Sequence, residues 1–573
     1  EIKYAYEYDV LLPLCELSKE HVILRVINYQ NGALEIDGIL SLGDFLEREQ
    51  LQLVVIKAGK EFLTEYSDVY GRDKVFGVTF EHKYMFHASI PLSALDKKTE
   101  VQFALKLNGM TIILEIRTQT VYAHLSTDIK GQYWRFADEW CLQVSCKNKL
   151  IIMQVTDTDV RKMENTFQNE LRERSKKGDT MANTALRLRK EYFERKKEPG
   201  PRIWITYDKL YKAGDNGEYM YNYISKLEDC DIKIQYLMQA NTPDYERMIE
   251  RGIEPLVWGE EETLVTVLLA EAILITHADV YSFTGFKKGL IPYICDLFNP
   301  VNICIQHGLT VQNIANFQNR LLDNIRLYLC ASQNEIENLK RPIYGYRDKS
   351  LLRLTGMARY DGLKNNNQNQ ILITPTWRRS LALASKMGSK RGHSDAFRDS
   401  DYFKIYNGLI NDPRLIACAK KTGYRIVYLL HPVLSAQIDD FEHNDYVQIM
   451  AAADNADYEG LLTESSLMVT DYSGVQFDFA YMRKPILYYH PENLPPHFDE
   501  SRAYMYETMA FGPLIKTHEQ LVRELCNYMK TGCVMKTEYV ERADKFFAFR
   551  DFDNCQRIYR EILSFFEENR EPE

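Results

Sequence analysis

The sequence predicts an α/β fold in which two doubly wound parallel sheets follow a smaller unit of β-strands. Three observations lead there. From Arg202 onward, short apolar runs alternate with helical stretches, the pattern of parallel strands joined by crossover helices. Before about residue 155 the chain instead carries short β-branched runs, punctuated by Asn31-Gly32, Asn108-Gly109 and Lys130-Gly131, which reads as a β-sandwich-like domain. The 573 residues, 45% apolar and 27% charged, have the composition of an ordinary globular chain with room for two to four cores.

Taken in order, residues 1–157 contain the runs His21–Asn28, Leu51–Ile56, Val101–Lys106 and Thr111–Ile116, each short enough for a strand, and no catalytic constellation. An accessory interaction domain fits best. Asp157-x-Asp159 has the form of a metal-binding pair, but so short a pattern arises more often by chance. Residues 158–200 turn helical and basic. Between Arg161 and Arg202 there are 13 Lys/Arg against 7 Asp/Glu, a balance of +6, so the rest of a chain of net charge −10 carries −16. A solvated linker helix explains this segment most simply. The functional expectation is a face that rests on anionic membrane or polymer. Glu198-Pro199-Gly200-Pro201 closes it.

Residues 201–346 supply the first doubly wound set: strands at Arg202–Tyr207, Asp231–Leu237, Ala272–Thr276, Val301–Gln306 and Leu327–Ser332. Residues 347–573 supply the second, with strands at Leu352–Thr355, Ile371–Thr374, Arg425–Leu430, Tyr446–Ile449, Leu467–Val469 and Ile486–Tyr489, then C-terminal helices that pack back on the sheets. Leu381–Asp401, rich in Ser, Lys, Arg and Gly, reads as a mobile loop.

Composition excludes several classes. A net-acidic chain has no global nucleic-acid footprint. Eleven cysteines without a C-x-x-C pair suit reduced thiols in the cytoplasm, not a disulfide framework or zinc site. No apolar run approaches the roughly 18–20 residues of a membrane span, and no signal peptide is legible. The chain starts at Glu1 without Met, as a piece of a longer protein does.

Polar residues recur where strands end, which is where doubly wound sheets bind ligands. They are His277, His307, the set Thr374-Pro375-Thr376-Trp377-Arg378, His431-Pro432 and Asp471-Tyr472-Ser473. One histidine after a strand is more often structural. Three of twelve at strand ends, beside a Thr/Ser/Arg set, point to one convergent site. The longest block is Thr470-Asp471-Tyr472-Ser473-Gly474, Phe477-Asp478-Phe479-Ala480 and Arg483-Lys484-Pro485-Ile486, read as strand, tight turn, helix and strand. Gly474 suits close backbone approach, and the turn's first amides suit an anion.

That block resembles the signature of the CDP-glycerol glycerophosphotransferase family, which builds teichoic acids and related polyol-phosphate polymers. Gln306-His307-Gly308, Thr355-Gly356-Met357-Ala358-Arg359-Tyr360-Asp361, Thr374–Arg378 and His431-Pro432 carry the likeness across residues 200–570. Gln306 stands where the family has Trp, and Ala358 where it has Pro. The resemblance implies a GT-B arrangement of two Rossmann-like domains across a cleft, acceptor side first and CDP-donor side second. It implies phosphoryl transfer from CDP-glycerol, or CDP-ribitol, to a hydroxyl of a polyol-phosphate or glycan acceptor, lipid-linked in some cases, with release of CMP. His307 becomes the general base, since an imidazole titrates near neutral pH. His431 steadies the leaving CMP. Thr374, Thr376, Arg378, Arg359, Asp471, Ser473 and Gly474 line the donor, with Arg378 facing phosphate, and His277, Asp215 and Asn216 face the acceptor. The likeness supplies no metal ligands and no cofactor beyond the donor nucleotide. The cysteines place the protein in the cytoplasm, and the basic segment at residues 158–200 raises a peripheral position at the cytoplasmic membrane face. Two rivals remain in view: a CMP-sugar-dependent sialyl- or Kdo-type glycosyltransferase, and a non-catalytic module on the same fold.

Overall fold

The computed structural model describes residues 20–43, 52–57, 60–75, 78–107, 109–118, 120–129, 131–145, 149–198, 200–228, 230–276, 283–315, 318–381, 392–451, 457–496 and 503–570. The first strands are β1 (His21–Gln30), β2 (Ala33–Gly43), β3 (Gln52–Lys57), β4 (Lys60–Leu63), β5 (Glu65–Val75) and β6 (Val78–Pro91). They continue as β7 (Lys98–Leu107), β8 (Met110–Ile113), β9 (Glu115–Thr118), β10 (Trp134–Phe136), β11 (Trp140–Ser145) and β12 (Lys149–Gln154). One sheet runs β5-β6-β2-β1-β9, and the other β10-β11-β12-β7-β3-β4 with β8 against β7. Val22, Leu24 and Ile36 of the first share one apolar core with Phe103, Leu142 and Ile152 of the second. The run expected as one strand at Thr111–Ile116 is two. It breaks at the fully buried Leu114, and its halves join different sheets. A single apolar run cannot reveal such a switch, because both halves carry the same β-branched residues.

Asp157-x-Asp159 is a helix start. Thr156 and Asp159 form a reciprocal capping box at the head of α1 (Asp157–Lys176), and Asp157 pairs with Arg135 at 2.9 Å. α2 (Thr180–Arg195) packs against α1 around Arg189, which is wholly buried. Its fork reaches Glu164 (2.5 and 2.9 Å) and Asp296 (2.8 Å), tying the helical pair to the first parallel sheet.

That sheet contains β13 (Arg202–Thr206), β14 (Ile232–Met238), β15 (Leu256–Val257), β16 (Ala272–Ile275), β17 (Val301–Cys304), β18 (Ile325–Cys330) and β19 (Leu352–Leu354). Its order is β15-β14-β13-β16-β17-β18-β19. β19 was expected to open the second set. It instead pairs in parallel with β18 through Tyr328↔Leu352, and so completes the first sheet. The second sheet contains β20 (Gln370–Ile373), β21 (Arg425–Leu430), β22 (Val447–Ala451), β23 (Ser465–Thr470), β24 (Ile486–Tyr489) and β25 (Leu514–Ile515), ordered β22-β21-β20-β23-β24-β25. Each sheet starts at its middle, builds one way, then returns to build the other. The reversal lies between β13 and β16 in the first, and between β20 and β23 in the second. These are the two places where such sheets open a ligand crevice at the strands' carboxyl ends.

The last helix, Asn554–Glu568, crosses back to the first sheet. Its Cys555, Ile558, Ile562 and Phe565 belong to that core, and Phe566 stacks on Trp204 at 5.9 Å. Asp361 accepts from the amides of Asn554 and Cys555, both at 2.8 Å, and fixes where the helix starts. The N-terminal strands dock on the same sheet through Asp37–Arg320 at 2.7 Å and a reciprocal amide pair between Asn28 and Asn324.

Candidate functional site

At the first reversal, the loop after β13 is shaped by Asp208. This carboxylate, 2% exposed, accepts from the amides of Asp215, Gly217 and Glu218 and from the Tyr236 hydroxyl. Burial, reinforced by the charge of Asp215, pushes Asp208 up to about 7. The next turn of chain opens the helix Asn216–Ile224. Thr276, at the end of β16, donates its hydroxyl to the carbonyls of Tyr207 (3.0 Å) and Asp208 (3.2 Å). The ends of β13 and β16 are thereby locked together.

His307 stands beside them, just past β17. Gln306 before it has φ +57°, a left-handed backbone that a non-glycine residue adopts at some cost. The conformation is held from several sides. The buried Asn216 donates to the Gln306 carbonyl (2.8 Å), while the Gln306 amide donates to the Leu329 carbonyl (2.5 Å) and accepts from Thr310 (3.3 Å). The kink presents the His307 side chain at an exposed position while its Nδ1 stays 3.2 Å from the Thr276 carbonyl. A carbonyl only accepts, so Nδ1 carries the proton and Nε2 is the basic nitrogen. Desolvation lowers the imidazole below the ordinary histidine value. Asp215 opposes the shift, and the Lys209 and Arg359 cations add to it. Lys209 lies in the turn after β13, closed by its backbone bridge to Lys212. Sequence reasoning passed over it, because it sits in no motif.

At the second reversal, Thr374–Arg378 follows β20 and Asp471–Ser473 follows β23. The two are joined by Thr470 Oγ1 to the Thr374 carbonyl (2.8 Å) and the Thr376 amide to Asp471 (2.7 Å). Arg378 does not face open space for a phosphate. It is 5% exposed, and its fork donates to Asp471 (2.9 Å) and to the carbonyls of Pro495 (2.8 Å), Thr376 (2.7 Å), Leu494 (3.1 Å) and Trp377 (3.4 Å). Asp471 is fully buried and also accepts from the Tyr472 amide at 2.6 Å. This pair frames the crevice from behind. His490 supports the same turn, stacking on Tyr472 at 4.1 Å and reaching the Asp471 carbonyl at 3.0 Å.

Smaller groups lie nearby. Thr376 Oγ1 is buried and has no hydrogen-bond partner among the described residues. Ser473 is half-buried and Gly474 exposed, and a Cβ built on Gly474 would meet nothing within 4 Å. The glycine thus leaves open space, and no neighbouring segment approaches it as the sequence suggested. His431 follows β21 and is half-buried. Its Nδ1 accepts from the Val433 amide at 3.2 Å, so the neutral ring carries its proton on Nε2. His431 and His307 therefore adopt opposite tautomers, one offering a donor and the other a lone pair at Nε2.

Arg359 joins the two halves. It is bidentate to Asp478 (2.6 and 2.9 Å), donates to Asp215 (2.8 Å) and to the His307 carbonyl (2.7 Å), and its amide donates to Asn216 (2.9 Å). It braces the site and is not open to a phosphate. Asn216, expected at the acceptor, is likewise buried and holds Gln306 and Arg359 in place. Asp215 is half-buried on the crevice side. His277 lies outside the described residues. No group of three or more metal-ligating side chains occurs among the described residues.

The family model of CDP-Glycerol:Poly(glycerophosphate) glycerophosphotransferase matches residues 192–564. The minor teichoic acid biosynthesis protein GgaB of Bacillus subtilis (strain 168) is 35% identical over 398 residues, covering 68% of this chain and 43% of that protein. A teichoic acid glycerol-phosphate transferase of Staphylococcus aureus (strain NCTC 8325 / PS 47) is 28% identical over 199 residues, covering 34% and 44%. The chain spans less than half the length of these two relatives. Among solved structures, the wall teichoic acid polymerase TagF aligns with a TM-score of 0.46 and 15% identity, over 72% of this chain and 97% of that one.

Proposed function

Since the chain belongs to the CDP-glycerol:poly(glycerophosphate) glycerophosphotransferase family, we propose that it transfers a polyol phosphate, glycerol phosphate foremost, from a CDP-polyol to an acceptor hydroxyl in the synthesis of a teichoic acid or capsule-type polymer. The observation that carries the reading is the pair of histidines in opposite tautomers, one at each sheet's ligand-binding edge. The acceptor hydroxyl gives its proton to His307 Nε2 as its oxygen attacks the β-phosphorus. The bond from that phosphorus to the bridging oxygen breaks, and CMP leaves. His431 Nε2–H donates to the diphosphate, and Ser473 and the Gly474 amide line it, on the turn that Thr376 shares with Asp471. Lys209 adds positive charge on the His307 side, where the transferred group's oxygens gather charge.

Arg378 and Asp471 act in this reading by holding the turn, and Arg359 by joining the halves. The two sheets form a GT-B-like pair, residues 1–157 an accessory β-sandwich-like domain, and 158–200 a linker. The donor is tested by comparing CDP-glycerol, CDP-ribitol and CMP-sugars for CMP release with a polyol-phosphate acceptor. Release with CDP-glycerol at a rate well above that with CMP-sugars is expected. Turnover confined to CMP-sugars would make the protein a glycosyltransferase.

We also propose that the basic helical pair touches an anionic membrane or polymer, which would hold the protein at the cytoplasmic face near a lipid-linked acceptor. No described helix is long and apolar enough to cross a membrane. Arg189 takes no part in such a face, because it is buried, and Arg187 is paired with Glu261. Lys190, Lys196 and Lys197 are among the exposed cations of the second helix and its end. Reversing these three to Glu should reduce co-sedimentation with anionic liposomes at low salt while leaving transfer to a short soluble acceptor unchanged. Equal sedimentation of variant and parent would reduce the pair to a linker.

A further inference from the structure

We propose that a crevice between the N-terminal strands and the first parallel sheet is a second binding site, one that takes a small phosphate ester. The cavity is about 210 Å³, with Asn28, Tyr29 and Phe136 on one side and Phe298, Val301 and Arg326 on the other. Its location separates it from the candidate catalytic edge. Val301 and Arg326 are at the starts of β17 and β18, whereas His307 lies beyond the opposite end of β17, about 13 Å of strand away.

Arg326 is the reason to expect an anion. Burial, and then the like charge of Arg320, lower its guanidinium to about 10. Its described hydrogen bond is to a neutral group, the Gln30 side-chain oxygen at 3.0 Å. Elsewhere along this seam the cations meet carboxylates. Arg320 pairs with Asp37 at 2.7 Å, and His87 with Asp37 at 2.8 Å and Glu35 at 2.9 Å. Among the described residues no carboxylate bonds Arg326, and Asp37, whose charge still reaches it, is already held by Arg320 and His87. A half-buried cation so placed gains from an anion that reaches it. The planar fork of Arg326 fits two oxygens of a phosphate, and the polar side chains of Asn28, Asn299 and Asn324 in the same lining can bond the rest of a polar ester. The rings of Tyr29, Phe136 and Phe298 suit the carbon body of an ester better than they suit free inorganic phosphate.

Occupancy would be felt beyond the cavity. Gln30 also donates to the side chain of Asn569 at 2.8 Å, so Arg326, Gln30 and Asn569 connect β18, β1 and the end of the last helix. A ligand on Arg326 would clamp these three parts together.

Calorimetric titration at low salt with sn-glycerol 3-phosphate, and separately with inorganic phosphate, tests the site. Saturable binding is expected, with the ester about threefold or more the tighter. Arg326→Gln should weaken it by about tenfold, the loss of one charge-assisted fork. Arg326→Lys keeps the charge and the fold but loses the fork, and should fall between. His431→Ala, in the catalytic crevice, should bind as the parent does, which separates this site from the proposed donor pocket. Three results would overturn the proposal: unchanged affinity in both Arg326 variants, loss of binding in His431→Ala, or no saturation up to about 10 mM. Equal affinity for inorganic phosphate would remove the ester from it.

Discussion

Replacing His307 by alanine should lower turnover about 10²–10⁴-fold, the usual range for a lost general base, with donor affinity close to that of the parent. The expectation rests on how the residue is mounted. Nδ1 faces the Thr276 carbonyl, Gln306 holds an unfavourable backbone to turn the ring outward, and Asn216, Leu329 and Thr310 hold Gln306. A histidine with only a packing role needs no such support. The pH profile gives an independent readout. Desolvation lowers the His307 pKa, and a base works only when unprotonated, so the acid limb of kcat/KM should fall below the ordinary histidine value. Activity should persist at pH values where a histidine of ordinary pKa would already be protonated. Near-normal turnover by His307→Ala, or an acid limb unmoved from the ordinary value, would take the base role from His307.

The second large effect is on stability. Arg378→Ala should destabilise the second sheet's crevice by about 3–5 kcal/mol, because it leaves Asp471 charged, buried and without its cation. Asp471 is fully buried, and its other oxygen already accepts the amides of Thr376 and Tyr472. Arg378 also satisfies four carbonyls, which would be stranded together. Denaturant unfolding monitored in the intact chain would read the loss. Lysine keeps the charge but cannot reproduce the fork, so Arg378→Lys should recover only part of it. If Arg378→Ala instead weakened CDP-glycerol binding with no loss of stability, the guanidinium would be a phosphate ligand after all.

The strand ends were legible because parallel strands read as continuous apolar runs, and polar residues at their ends stand out. His307, His431, Thr376 and Ser473 stand out in the sequence for that reason. The partners of charged residues were not. Arg378 and Asp471 are 93 positions apart, and Arg359 and Asp478 are 119 apart, so the sequence displays Arg378, Arg359 and Asp471 as candidate ligands and hides that each is neutralised within the protein. Asn216 looked like an acceptor contact for the same reason. Lys209 and Asp208 carry no motif, and the long-range bonds from Thr276 to the Tyr207 and Asp208 carbonyls that fix this turn leave no local pattern. The left-handed backbone of Gln306 left no sign either, since glutamine is not a residue that announces positive φ. β19 and the split at Leu114 were misread because a short apolar run names no partner strand.

The central claim is that His307 and His431 face one donor from the carboxyl edges of the two sheets, the first as base and the second as donor to the diphosphate. A crystal structure of the His307→Ala variant soaked with CDP-glycerol tests it most directly. The account predicts a diphosphate within hydrogen-bond reach of His431 Nε2, beside Thr376 and Ser473, with the β-phosphorus turned towards the position vacated by the imidazole. A nucleotide bound elsewhere, or a β-phosphorus turned away from position 307, would contradict it.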